Sequence, residues 1–197
     1  NIFICKKKML LKKKFKYYLK KYFKKSKVID IKKKTNGQAT TCKIASKYIK
    51  DDDIVTYSSC DFSFSFDIKK FNQFVKLNDL ILFVYKSKIE NILNFKEYGW
   101  VKKEKNNFIK NISCKDKVSN NPEKDYVITG NFTFRNKKIF HRCYNEMIKK
   151  KYKVNNEYYM DTVAKCALDL NYNVKYIVVK NFKSFGSPRE LLKNVKK

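Results

Sequence analysis

Arginine is scarce in this chain. Arg135, Arg142 and Arg189 are the only three, so lysine supplies the other 44 of the 47 basic residues, set against 18 Asp and Glu. The formal net charge of +29 invites a nucleic-acid partner. Arginine, however, is the residue suited to bidentate contacts with phosphates and bases, whereas lysine is a hydrated point charge. Drift plus a solvated surface is therefore favoured over a nucleic-acid partner, although such a field attracts anionic substrates of any kind. Histidine is reduced to His141, which has no nucleophile near it in sequence and reads as a surface or packing residue. Cys5, Cys42, Cys60, Cys114, Cys143 and Cys166 form no C-x-x-C pair and have no His at metal spacing. They read as buried free thiols of a reducing cytoplasm. No apolar run approaches the roughly 18 residues needed to span a bilayer, so no membrane partner is expected. Only 4 Gly and 2 Pro are present. With the excess of Lys, Asn, Ile, Tyr and Phe, this looks like the coding bias of an AT-rich genome. It leaves no linker-like stretch, so residues 1–197 are expected to form a single domain.

What is present is enough for a core: 43% apolar residues, 16% of all residues being aromatic. Apolar runs and helical stretches alternate. Strands are expected at 2–5, 28–31, 54–58, 80–85, 108–112, 126–134 and 174–179, and helices at 39–49, 67–77, 137–150, 158–171 and after Pro188. Between residues 7 and 24, Leu11, Phe15, Tyr18, Leu19 and Tyr22 fall at helical spacing among lysines. That segment reads either as a Lys-rich outer face over a core stripe, which is favoured, or as a basic membrane-surface helix. The alternation predicts an α/β fold with a mostly parallel sheet and helices on both faces, with ligands at the carboxyl ends of the strands.

Four places carry chemistry. Asp61 sits just past the strand 54–58, where a lone carboxylate is a natural Mg2+ ligand alongside substrate phosphates; a loop or cap role is equally open. In Thr35-Asn36-Gly37-Gln38-Ala39-Thr40-Thr41, Gly37 permits close backbone approach to a planar ligand, and Gln38 offers both a donor and an acceptor to a base edge. A plain turn before a helix would look the same. Asn155-Asn156-Glu157-Tyr158-Tyr159-Met160-Asp161 reads first as a helix cap, with Glu157 and Asp161 four apart on one helix face. Lys115 follows the strand 108–112 and is, by itself, anonymous among so many lysines.

Taken in order, these segments resemble the sugar-phosphate nucleotidyltransferase family, the enzymes that make NDP-sugars. Residues 35–41 resemble its T-x-G-Q-A-x-T segment, and Ser59-Cys60-Asp61 its metal-binding strand end. Ile112-Ser113-Cys114-Lys115 is similar to the stretch leading to a phosphate-contacting lysine, and Thr129 to Phe134 to a glycine-containing strand against which the sugar lies. Val154 to Asp161 is similar to V-N-x-E-x-Y-x-D, and Gly186 to Leu191 to the closing G-T-P-x-D-L. The resemblance implies a Rossmann-like, mixed, mostly parallel sheet of the nucleotide-diphospho-sugar transferase type, with NTP and a sugar 1-phosphate as substrates and Mg2+ as cofactor. It implies nucleotide contacts from Gly37, Gln38 and Asp61, sugar contacts from Gly130, Glu157 and Lys115, and metal ligation by Asp61 and Asp161. Asp61 and Lys115 would carry catalysis. Three departures stand out. The family's opening G-x-G-x-R loop is absent, the chain opening at Asn1 as if its first strand–loop–helix unit were missing. Ser184 stands where a second metal-binding Asp is common, and Cys114 replaces a Glu. The expectation is a chain with impaired turnover, or a non-catalytic nucleotide or sugar binder.

Overall fold

A computed structural model describes residues 1–195. The chain begins with a small parallel unit: strand β1 (Ile2–Lys6), helices α1 (Lys7–Leu10) and α2 (Lys13–Tyr22), then strand β2 (Lys27–Ile31). β1 and β2 pair from Ile2 opposite Lys27 to Lys6 opposite Ile31. The single helix expected over 7–24 is broken at Leu11-Lys12. Lysines crowd the start of each piece, with no acidic residue in either first turn to complement the helix dipole. The favoured core stripe is also corrected: no residue of α1 or α2 is buried, and Leu11 is 71% exposed.

Beyond Gly37 come α3 (Gln38–Ala45), β3 (Val55–Ser58), β4 (Phe62–Ser65), α4 (Ile68–Leu77), β5 (Leu80–Lys86) and α5 (Ile89–Leu93). Asp67 caps α4 by accepting the Lys70 N–H at 3.0 Å, the Asp start that the sequence predicts. Next are β6 (Gly99–Lys103), β7 (Ile109–Cys114), β8 (Tyr126–Phe134), α6 (Lys137–Lys149) and α7 (Met160–Asp169). The described chain closes with β9 (Val174–Val178), β10 (Lys180–Ser184) and α8 (Pro188–Val195). Strands β4 and β10, which sequence periodicity missed, pair with each other beside the main sheet.

The main sheet runs β7-β6-β8-β5-β9, with β3 also on β8. β5 and β9 pair in parallel, whereas β8 is antiparallel to β3, β5 and β6, and β7 is antiparallel to β6. Four strands (β3, β5, β6 and β9) therefore point one way, against β7 and β8. The mixed sheet is mostly parallel in strand direction, but its ladders are mostly antiparallel because β8 is inserted among strands of the other sense. β5 follows one edge of β8. On the opposite edge β3 pairs with Asn131–Phe134 and β6 with Tyr126–Val127, end to end. At their junction β8 bulges, with Leu82 opposite Phe132 but Val84 opposite Ile128. Gly130 takes φ +96° there, and a Cβ on it would lie 3.0 Å from Ser59 Oγ.

Both sheet faces are covered. Leu80, Leu82 and Val84 pack with Phe132, Phe134, Phe140 and Met160 under α6 and α7, while Ile81 and Phe83 pack with Trp100, Val127 and Ile177 under α4. This is the doubly buried strand that the apolar run at 80–85 predicts. Phe140 is wholly buried, 4.4 Å from the Tyr57 ring centroid. We expect Phe140→Ala to cost about 3–5 kcal/mol in a urea titration, while Leu11→Ser stays within about 0.5 kcal/mol.

Candidate functional site

A cavity of about 320 Å³ opens where β3 and β6 meet along β8. Its lining unites residues distant in sequence: Gln38, Asp61, Lys115, Gly130, Asp161 and Ser184 all face it. Gln38, the first residue of α3, donates from Nε2 to Ser59 Oγ at 3.0 Å. Asp61 lies in the turn between β3 and β4, its carbonyl accepting the Phe185 N–H at 2.7 Å. Its carboxylate fills the space beside Gly186: a Cβ there would be 2.5 Å from Asp61 Oδ2 and 3.7 Å from Glu190 Oε2. Two carboxylates thus converge on Gly186. Sequence reading did not single out Glu190, although Ser187-Pro188-Arg189-Glu190 is a capping-box signature. The box is formed, with Glu190 Oε2 accepting from Ser187 N (3.1 Å) and Oγ (3.0 Å).

Lys115 follows the last residue of β7 and lies in the left-handed region, φ +57°, with its N–H donated to the Tyr98 carbonyl at 2.9 Å. That conformation is costly for a non-glycine residue, of order 1 kcal/mol, and places Nζ 5.1 Å from the Tyr159 ring centroid. Asp161, in the first turn of α7, packs so tightly on Gly99 that a Cβ there would overlap its carboxylate. Burial pushes the Asp161 carboxyl up to about 6, against the opposing effects of the Cys114 hydrogen bond and the Lys115 charge. The Cys114 thiol is itself driven well up by burial and by Asp161, so it stays protonated as a donor.

Two expected residues stand outside the lining. Gly37 (φ +112°) is pressed on the Tyr158 backbone, where a Cβ would lie 2.5 Å from both N and O. Glu157 pairs with Lys34 at 2.7 Å and accepts the Tyr159 hydroxyl at 3.2 Å. Nor do Glu157 and Asp161 share a helix face. Asn155 and Asn156 take φ of 49° and 60°, closing a turn in which Val154 and Glu157 exchange 3.0 Å backbone hydrogen bonds. Asparagine tolerates that left-handed region, so the pair makes a tight turn instead of a cap, and α7 starts only at Met160. Asp61 and Asp161 are held by different partners, Gly186 against Gly99 and Cys114. Sequence reading also missed the aromatic wall, in which Phe182 stacks on Tyr85 at 4.3 Å. His141 is a packing residue, 2.8 Å from Ser46 Oγ.

The electrostatics run against those of the whole molecule. Among the described residues, Asp61, Glu97, Asp161 and Glu190 line the cavity against one cation, Lys115, in a chain of net charge +29. Among the described residues no group of three or more His, Cys, Asp or Glu gathers to hold a metal. A larger cleft of about 530 Å³, at the far end of β6 beside Lys102 and Lys103, contains none of the candidate residues.

This architecture is the nucleotide-diphospho-sugar transferase fold. A nucleoside-diphosphate-sugar pyrophosphorylase from Vibrio cholerae RC9 superposes with TM-score 0.76 at 17% identity, over 100% of this chain and 80% of that one. The inositol-1-phosphate CTP transferase from T. maritima gives 0.71 at 19%, over 98% of this chain and 73% of that one. A Bacillus anthracis protein described as a glucose-1-phosphate thymidylyltransferase, in complex with sucrose, gives 0.68 at 16%, with coverage of 98% and 73%. With fewer than one residue in five identical, the shared property is the fold. No protein-family model matches the chain, and no curated protein is significantly similar to it.

Burial of Asp161 predicts a stability cost. With the folded carboxyl at about 6 and its ordinary value 3.8, the native state holds the proton more tightly. Stability is therefore fully present below pH 4 and is lost as pH rises through 6. Measured in chelator, Asp161→Asn should be about 2 kcal/mol more stable than the parent chain at pH 7.5, with the difference vanishing near pH 3.5.

Proposed function

We propose that this chain is a sugar-phosphate nucleotidyltransferase, transferring a nucleoside monophosphate from an NTP to a sugar 1-phosphate with release of pyrophosphate. The observation that carries the reading is the convergence of Gln38, Asp61, Lys115, Gly130 and Asp161 on one cavity, where the motif order implies a shared site. In the proposal Gln38 meets the base with the amide face left by its bond to Ser59. Lys115 holds the sugar phosphate from its fixed position over Tyr159. Gly130 leaves room for the sugar against β8, and Asp161 accepts sugar hydroxyls.

An acidic cavity is a poor receptacle for phosphates unless a cation is shared. Mg2+ takes one or two carboxylates plus phosphate oxygens and water, so a three-residue cluster is not required. The donor set fits this: Asp61 would hold the ion, with Glu190 converging on the same point and Ser184 nearby. When bound, the ion supplies charge neutralisation at the α-phosphate. Asp161, held by Cys114 at Gly99, suits sugar contact better than a ligand position shared with Asp61. Glu157 and Gly37 act at one remove, ordering Tyr159 and the start of α3. A binding-only protein is the second reading, favoured by Lys115 being the one lysine that lines the cavity among the described residues, since positioning and charge neutralisation dominate such chemistry.

Titration calorimetry with CTP, UTP, dTTP and GTP, with and without Mg2+, tests the proposal. Mg2+-dependent binding to one nucleotide, weakened about tenfold or more by Asp61→Ala, is expected. Pyrophosphate release on adding sugar 1-phosphate separates the two readings: slow release is expected of the transferase, and none of a binding-only protein. Nucleotide affinity indifferent to both Mg2+ and Asp61 would overturn the assignment.

A further inference from the structure

The helical segment between β1 and β2 carries charge and apolar surface that the cavity does not use. Residues 6–27 include twelve lysines, and the first acidic residue of the chain is Asp30. Among the described residues none of those lysines pairs with a carboxylate. Lys21 instead sits over the Tyr17 and Tyr22 rings, and Lys27 over Tyr48 at 3.7 Å. Within α2, Phe15, Tyr18, Leu19 and Tyr22 fall on one helical face, and Leu11 stands in the break just before it. Most of this surface is uncovered: Leu11 is 71% exposed, Tyr22 62% and Tyr18 44%, with Phe15 and Leu19 half-buried. Tyr18 stacks on Tyr22 at 6.0 Å and meets Tyr17 edge-on at 5.4 Å, contacts that all lie within α2.

Unpaired lysines on one side and an uncovered aromatic and aliphatic stripe on the other suit one kind of surface. A polyanion such as RNA would engage the lysines and tyrosines but leave Leu11 and Met9 in water. The headgroup boundary of an anionic bilayer uses both faces of the helix. We propose that residues 7–25 dock the protein peripherally on anionic phospholipid membranes, with Leu11, Tyr18 and Tyr22 entering the headgroup–acyl boundary. No helix among the described residues is long and apolar enough to cross a bilayer, so the contact is one of lying on the surface. It revises the expectation of no membrane partner and takes up the membrane-surface reading of residues 7–24 that the favoured core stripe had displaced.

Flotation of the full chain with phosphatidylcholine vesicles, with and without phosphatidylserine, tests this. Binding is expected only to the anionic vesicles and should fall steeply with added salt. Lys13→Ala/Lys20→Ala should weaken it roughly 25-fold, about fivefold per lysine. Tyr18→Ser/Tyr22→Ser, which leaves the charge unchanged, should weaken it about tenfold. Neither pair is buried, and unchanged circular dichroism would confirm that the variants fold. Failure to float with anionic vesicles, or flotation indifferent to the tyrosines, would overturn the proposal. Tighter binding to oligouridylate than to vesicles, with the same lysine dependence, would assign the face to nucleic acid instead.

Discussion

The bulge in β8 decides where everything else goes. One residue of β5, Phe83, spans three of β8, with Thr129 Oγ1 donating to the Phe83 carbonyl at 3.0 Å. The strand turns there at Gly130, and neither β3 nor β6 continues past the point. The gap between their ends is the cavity. Because β3 and β6 run the same way, one presents its carboxyl end, with Ser59 and Asp61, while the other presents its start at Gly99. A regular β8 paired along its whole length would leave no such opening.

The same constraint explains the distribution of glycine. The chain has four, at 37, 99, 130 and 186. A Cβ at each would meet, in turn, Tyr158, Asp161, Ser59 and Asp61. A composition almost emptied of glycine retains it where backbone must lie against residues of the cavity or their neighbours. Charge is partitioned as sharply: four carboxylates sit in the cavity of a protein whose surface is dominated by lysine. A phosphate ligand attracted by the outer field meets negative charge inside, which makes a bridging divalent ion the simplest route to binding.

Much of this was legible in the sequence, for identifiable reasons. The apolar run at 80–85 and the long β8 are buried on both sides, and their lengths are fixed by local composition. Asp67 and Pro188 mark helix starts by their own stereochemistry. Of the residues that the ordered motifs single out, Gln38, Asp61, Lys115, Gly130 and Asp161 line one cavity, whereas Gly37 and Glu157 lie outside its lining, a distinction no local pattern carries. Asn155-Asn156 can cap or turn, and only the pairing of Val154 with Glu157 decides between them. Strands β4 and β10 are short and draw their register from each other across more than a hundred residues, beyond any local pattern. The stripe of α2 misled because periodicity reports an apolar face without reporting whether anything covers it.

The central claim is that the carboxylate-lined opening beside the β8 bulge binds a divalent cation together with a nucleotide. Paramagnetic broadening by Mn2+ in the presence of nucleotide, read in the amide spectrum of the labelled chain, tests it directly. Signals of Cys60, Asp61, Gly130 and Gly186 should broaden first, and Asp61→Asn should abolish the effect. Broadening centred on the exposed run Asp51-Asp52-Asp53, and unchanged in Asp61→Asn, would contradict the account.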